Sequence, residues 1–215
     1  MTVRVKICGV NSKAAMTAAL DGGAAFVGLV FYPPSPRYVT PEEAAGLASL
    51  AKSRAARVGL FVDPDDDTLA EVLGRVSLDL LQLHGAESPA RIGEVYARHG
   101  VPVMKAIKIA SEADVDRVKD YEAVAERFLF DAEAPDSMIE ALPGGNALSF
   151  DWQWLQGRRW ARPWMLSGGL NAANLAQAVR ASGAEEVDVS SGVEDRRGNK
   201  SPAMIKAFLD AATAL

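Results

Sequence analysis

The sequence predicts a single closed (β/α)8 barrel: eight parallel strands in one domain spanning residues 1–215, with an active site at the C-terminal rim of the strands. Three observations lead there. Eight short β-branched or apolar runs recur along the chain, several of them apolar at every position, as in a parallel sheet covered on its outer face. Helical segments with start and stop signals separate the runs. The spacing from strand to strand is roughly 20 to 35 residues, the size of one βα unit, and no composition shift or long linker divides the chain. An open, doubly wound sheet is the alternative arrangement of the same units.

The elements read as follows. VRVKIC is the first strand, and a helix begins near Ser12. AFVGLVF is the second. It is followed by TPEEAAGLASLAKS, with Thr40 as N-cap, Pro41 at the first helical position and Glu43 closing a capping box. RVGLFV is the third strand, with a helix from near Asp65. LDLLQLH is the fourth, and the helix after it starts at Ser88-Pro89 and stops at Gly100. PVMKAIKI is the fifth, with a helix from near Ser111, and RFLFDA is the sixth. The most irregular piece follows, APDSMIEALPGGNALSFDWQWLQGRR, read as a mobile loop around Gly144-Gly145 and then a helix from near Asp151. PWMLSGG is the seventh strand, and LNAANLAQAVRASG is a helix from Asn171 to Gly183. EEVDVSS is the eighth, and the helix SPAMIKAFLDAATAL, from Ser201, closes the chain.

Composition narrows the function classes. Hydrophobic residues make up 49% and charged residues 24%, an ordinary globular balance. A single cysteine permits no internal disulfide and points to a reducing compartment, so the expected location is the cytoplasm. The start MTVRVKICGV does not read as a signal peptide, and no apolar run reaches the length of a membrane span. A net charge of -5 argues against a broadly basic nucleic-acid binder. There is no G-x-G-x-x-G, no Walker loop, no nucleophile elbow and no zinc-spaced Cys/His cluster. With one cysteine and two histidines, His84 and His99, no metal site is expected, and nothing visible requires a flavin or nicotinamide.

In such a barrel, chemistry belongs to residues that end strands. Cys8 ends the first, His84 the fourth, Asp131 the sixth and Asp188 the eighth, while Arg37 follows the second in PPSPRY. Each alone has an ordinary structural explanation: a buried thiol, a turn histidine, a helix cap, a buried pair, a surface salt bridge. Convergence of all five on one rim points instead to a shared site. Gly168 and Gly169 follow the seventh strand, and Ser190, Ser191 and Gly192 close the eighth. Glycines let the backbone approach an anion, and the loops after strands seven and eight commonly bind phosphate in this fold. The expected chemistry is proton transfer by side chains on a phosphorylated small molecule, without a cofactor.

KICGV, GLVFYPPSPRYV, LLQLHG, LFD, FDW, LSGGL and VDVSSGVED together resemble the N-(5'-phosphoribosyl)anthranilate isomerase family over nearly the whole chain. The resemblance implies a cofactor-independent Amadori rearrangement that turns an aminoaldose phosphate into a 1-deoxyribulose phosphate. This is the third step on the route to tryptophan when anthranilate's own formation is counted. It also implies Cys8 as general base, Asp131 as general acid, Arg37 near the anthranilate carboxylate, and Gly168, Gly169, Ser190, Ser191 and Gly192 as the phosphate cradle. His84 and Asp188 match positions near the substrate. The acid must hold its proton and the base must lose it, so Cys8 needs a cationic neighbour. Lys6, with the same strand parity, is placed to supply one.

Two departures stand out. The stretch GGNALSFDW carries Asn146 and Ala147 where the family pattern has threonine and glycine, which bears on loop movement. LSGGL carries Ser167 where alanine is more usual. Two other functions fit parts of the pattern. One is an aminoaldose isomerase of the histidine-pathway type, which uses a carboxylate where this chain has Cys8. The other is a non-catalytic phosphosugar-binding domain. The expected partners are a small phosphoribosyl substrate, no nucleic acid and no membrane, with the chain a monomer or weak homodimer.

Overall fold

A computed structural model describes residues 3–135 and 142–215. Strands β1 (Arg4–Cys8), β2 (Phe26–Val30), β3 (Ala56–Phe61), β4 (Leu80–Leu83), β5 (Val103–Ile109), β6 (Arg127–Ala132), β7 (Trp164–Leu166) and β8 (Glu186–Val189) pair in chain order. Every pairing is parallel, and β8 returns to β1, closing the barrel that the sequence predicts. Helices α1 (Lys13–Asp21), α2 (Pro41–Ala51), α3 (Asp66–Arg75), α4 (Pro89–His99), α5 (Leu175–Ser182) and α6 (Pro202–Thr213) lie between and after the strands.

The caps are those that local chemistry dictates. Thr40 accepts from the Glu43 amide while the Glu43 carboxylate accepts from the Thr40 amide, satisfying two otherwise orphaned donors. Ser12, Asp65, Ser88 and Ser201 cap their helices in the same sense. Gly100 ends α4 with φ 67, a left-handed conformation that glycine adopts without a Cβ penalty.

Three helical segments differ from the sequence expectation. Glu112–Asp120 is a 3-10 helix, acid-rich with valines on its buried side, a composition of weak α propensity. The segment at Asp151 is also 3-10 and covers only Trp152–Leu155, with Asp151 accepting from the Gln153 amide. The helix expected from Asn171 begins instead at Leu175. Asn171 and Asn174 bond each other's backbone through their side chains, and those turns replace the first helical turn. The expected mobile loop falls partly on residues 136–141, which lie outside the described residues. An antiparallel hairpin, β9 (Glu194–Arg196) with β10 (Asn199–Lys200), stands between β8 and α6 and has no counterpart in the sequence reading.

Period-two alternation sorts the strand residues. Phe26, Val58, Leu80, Met104, Ala106, Leu129 and Met165 form an apolar plug inside the barrel. The intervening positions, such as Ile7, Leu29, Phe61, Leu81, Phe128 and Val187, join the larger core beneath the helices. At the N-terminal end, Glu186 is shared by Arg4 and Arg127, and both guanidiniums lie over the Phe26 ring. That floor leaves the opposite end free for chemistry. No helix among the described residues is long and apolar enough to cross a membrane.

The loops after β7 and β8 are in contact: a Cβ on Gly192 would sit 1.8 Å from the Leu170 carbonyl oxygen. Gly192→Ala should therefore cost about 2 kcal/mol or more, roughly 4–8 °C in Tm. Gly46→Ala, with nothing near its added methyl on exposed α2, should gain about 0.5–1 kcal/mol. Thermal melts of the two variants check the pair, and equal effects would refute the steric account.

Candidate active site

The C-terminal ends of the strands surround a cavity of about 710 Å3 of empty space, including its mouth. Cys8, Arg37, His84, Asp131, Asp188, Gly168, Gly169, Ser190 and Ser191 all line it. Gly192 does not, and instead packs behind the wall against Leu170.

Register places the thiol. Lys6 pairs with Asp188 across the β1–β8 seam, and Cys8, two residues on, faces the same interior. The Lys6 ammonium donates to Asp188 at 2.9 Å, and the Ser167 hydroxyl donates to the other Asp188 oxygen at 3.1 Å. Burial opposes the charge on Lys6, but Asp188 and then Cys8 outweigh it, and Lys6 is pushed up to about 12. Burial likewise pushes the Cys8 thiol up; Lys6 pulls it down, and Asp188 adds to the rise. The net direction is upward, so the thiolate that base chemistry needs depends on Lys6. Gly28 makes this contact possible, since a Cβ there would lie 3.0 Å from the Cys8 sulfur and 3.1 Å from the Lys6 nitrogen. A glycine inside a strand signals such close approach, but its partners are not legible locally.

Across the cavity, Asp131 is the penultimate residue of β6 and His84 follows β4. Gln82 Nε2 lies 2.9 Å from His84 Nδ1, a contact that links the two side chains. His84 Nε2 is 3.2 Å from Asp131 Oδ2, close enough for attraction but poorly angled for a hydrogen bond. The remaining Asp131 oxygen accepts from the Ala132 amide. Gly144 of the following loop presses on both groups: a Cβ there would lie 2.7 Å from Asp131 Oδ2 and 2.8 Å from the His84 ring. Gln82 was not singled out from sequence, and Gly144 only as part of a mobile loop.

Arg37 donates through Nε and Nη2 to Glu194, at 2.7 and 3.0 Å, and through Nη2 to the Gly145 carbonyl. In the loop after β7, Gly168 and Gly169 take φ values of 91 and 63. Their amides donate to no backbone acceptor among the described residues. The Ser190 hydroxyl donates to the Cys8 carbonyl at 3.2 Å, fastening the loop after β8 to the end of β1. Among the described residues, no group of three or more His, Cys, Asp or Glu is gathered to hold a metal ion.

Because Cys8 is the sole cysteine, its ultraviolet thiolate absorbance reports its titration directly. Lys6→Met should move the midpoint upward, and an unchanged midpoint would remove Lys6 from the tuning of the thiol.

The model of a protein family described as N-(5'phosphoribosyl)anthranilate (PRA) isomerase matches residues 5–211. An N-(5'-phosphoribosyl)anthranilate isomerase of Rhodospirillum centenum is 61% identical over 215 residues, covering 100% of both chains. The crystal structure of the Thermotoga maritima phosphoribosyl anthranilate isomerase is similar with a TM-score of 0.87 at 35% identity, over 99% of this chain and 100% of that one. A phosphoribosyl anthranilate isomerase in complex with reduced 1-(o-carboxyphenylamino)-1-deoxyribulose 5-phosphate gives 0.84 at 33% identity, with the same coverage. The barrel, its rim and this full-length likeness agree: the chain belongs to the PRA isomerase family.

Proposed function

We propose that this chain converts N-(5'-phosphoribosyl)anthranilate to 1-(2-carboxyphenylamino)-1-deoxyribulose 5-phosphate by an Amadori rearrangement. The observation that carries the reading is a buried thiol and a buried carboxyl group lining one cavity from β1 and β6, three strands apart around the ring of eight.

In this reading Asp131 delivers a proton to the ribose ring oxygen. The C1'–O bond breaks, and the anilino nitrogen's lone pair completes a protonated Schiff base. The Cys8 thiolate then removes the C2' proton, the C2'–H electrons neutralise the iminium, and an enolamine forms. Its tautomerisation gives the ketone. Every step moves protons and none moves electrons to an external acceptor, so the chemistry calls for no redox cofactor. Lys6 stabilises the thiolate, and His84, held by Gln82, holds Asp131 from the far side. Arg37 takes the anthranilate carboxylate. The Gly168–Gly169 amides, with Ser190 and Ser191, form the cradle for the 5'-phosphate, and Gly192 behind the wall lets the two loops meet; the glycine backbone donors support this more than the α5 dipole, since α5 starts only at Leu175.

The test follows the loss of anthranilate fluorescence as purified protein turns over phosphoribosylanthranilate. Cys8→Ala and Asp131→Asn should each lower kcat by about 10^2- to 10^4-fold while binding of a product analogue stays within a few-fold. An inactive wild type that still binds the analogue would overturn the enzyme reading, and an active Asp131→Asn variant would overturn the acid.

A further inference from the structure

Behind Arg37 lies an ionic cluster separate from the Lys6–Asp188 pair, whose lysine, Lys200, also pulls the Cys8 thiol down. Glu194, at the start of β9, accepts Nε and Nη2 of Arg37 with both carboxylate oxygens, and it also accepts the Gly198 amide of its own hairpin at 3.0 Å. Lys200 of β10 donates to Glu194, to the Ser190 carbonyl at 2.9 Å and to the Ser190 hydroxyl at 3.2 Å. The Arg37 and Glu194 side chains are 4% exposed and that of Lys200 is 0%. The two carboxylate oxygens and three protons of Lys200 are all engaged, and three donated bonds require an ammonium.

Two consequences follow from this geometry. A guanidinium presents its N–H groups in one plane, and Glu194 grips the Nε–Nη2 edge, so the plane is fixed. Gly145 takes a further bond from Nη2, leaving Nη1 as the terminal nitrogen with no acceptor among the described residues. The second consequence concerns charge. Arg37 and Glu194 alone would be a neutral pair, offering an anionic ligand little. Lys200 makes the cluster two cations to one anion, restoring one net positive charge beside the cavity.

We propose that Glu194 and Lys200 are positioning residues that set a preference for a carboxylate on the substrate's aromatic ring: Glu194 aims the free Nη1 of Arg37 into the cavity, and Lys200 supplies the charge that Glu194 would otherwise cancel. The proposal rests on the reading that Arg37 meets the substrate's carboxylate. It also gives the β9–β10 hairpin a purpose, since both residues belong to it and Lys200 ties it to the Ser190 loop.

Calorimetric binding of two ligands tests it: the 5-phosphates of 1-(2-carboxyphenylamino)- and 1-phenylamino-1-deoxyribitol, which differ only in the carboxylate. The wild type should prefer the first by about tenfold or more, the scale of one charge-assisted contact. Arg37→Met, Lys200→Met and Glu194→Gln should each bring that preference to within about threefold, while affinity for the phenyl ligand holds within about threefold. In turnover, Glu194→Gln should raise KM with kcat little changed, Lys200→Met should raise KM and also lower kcat, because Lys200 helps to pull the Cys8 thiol down, and Lys200→Arg should recover the wild-type preference. Should Lys200→Met not fold, the isosteric Glu194→Gln carries the test. Preference lost in Arg37→Met but kept in both hairpin variants overturns the proposal and leaves the reading of Arg37 intact. Preference kept in Arg37→Met overturns that reading and the proposal with it. Equal losses for both ligands, or a gain of preference in Glu194→Gln, would also overturn the proposal, the latter by showing Glu194 to be a competitor for Arg37.

Discussion

The contact on which the site depends is the buried ion pair between Lys6 and Asp188 inside the barrel, across the seam where β8 meets β1. Two charges out of water are costly, and such a pair is poor evidence of stability in itself. What it confers here is register. A slip of one residue would turn Lys6 toward the helices and leave Asp188 facing the interior alone, a change costing about 3–5 kcal/mol on the usual scale for breaking a buried pair. With β1 so fixed, Cys8 falls at the rim facing inward. The same pair shapes the thiol's electrostatics from two sides, Lys6 favouring the thiolate and Asp188 opposing it. Ser167 binds the Asp188 oxygen that Lys6 leaves open, which spreads the carboxylate's charge over two donors.

The interior is therefore graded along its axis. Glu186 with its two arginines forms the floor, an apolar plug fills the middle, and Lys6 with Asp188 makes an ionic layer just under the cavity. Charges near the floor touch solvent or aromatic faces. The ionic layer is almost wholly enclosed, with only Asp188 reaching the cavity wall, so Lys6 must be satisfied internally. That demand explains why a lysine, Lys6, can stand among the largest fully buried side chains of the described residues, and why a glycine, Gly28, occupies the neighbouring strand position, where a side chain would intrude on Lys6 and Cys8.

Sequence made the local part of this legible. Strand runs, the Thr40 capping box, the Ser88 start and the Gly100 stop each depend on residues within a few positions, and the structure contains them where expected. The strand-ending polar residues were legible because period-two alternation and chain order fix where each strand terminates. Three kinds of feature escaped. Helix type at Glu112–Asp120 turns on a small propensity difference decided by packing. The late start of α5 comes from two asparagines whose mutual bonds compete with the first helical turn. The β9–β10 strands have three and two residues, too short to show a period, so the Glu194–Lys200 cluster had no local trace. Its bond to Arg37 spans 157 positions, a contact that only the closed barrel brings about.

The loop after β6 joins these threads. Asn146 accepts from the Leu142 amide and donates to the Leu142 carbonyl, closing five residues into a tight turn. Ala147 then takes φ 59, a left-handed conformation that costs an alanine on the order of 1 kcal/mol and that the glycine of the family pattern would adopt freely. The two Asn146 bonds offset that strain, so asparagine and alanine work here as a pair: one supplies the turn that the other's backbone resists. The turn sets the adjoining Gly144 against Asp131 and His84 and Gly145 against Arg37, where added Cβ atoms would come within 3 Å of all three side chains. One loop thus touches both Asp131 and Arg37, and its closeness to each is permitted by glycine at the two contact points. The departure from the family pattern lies in how the turn is stabilised, while the two points that press on Asp131, His84 and Arg37 remain glycine.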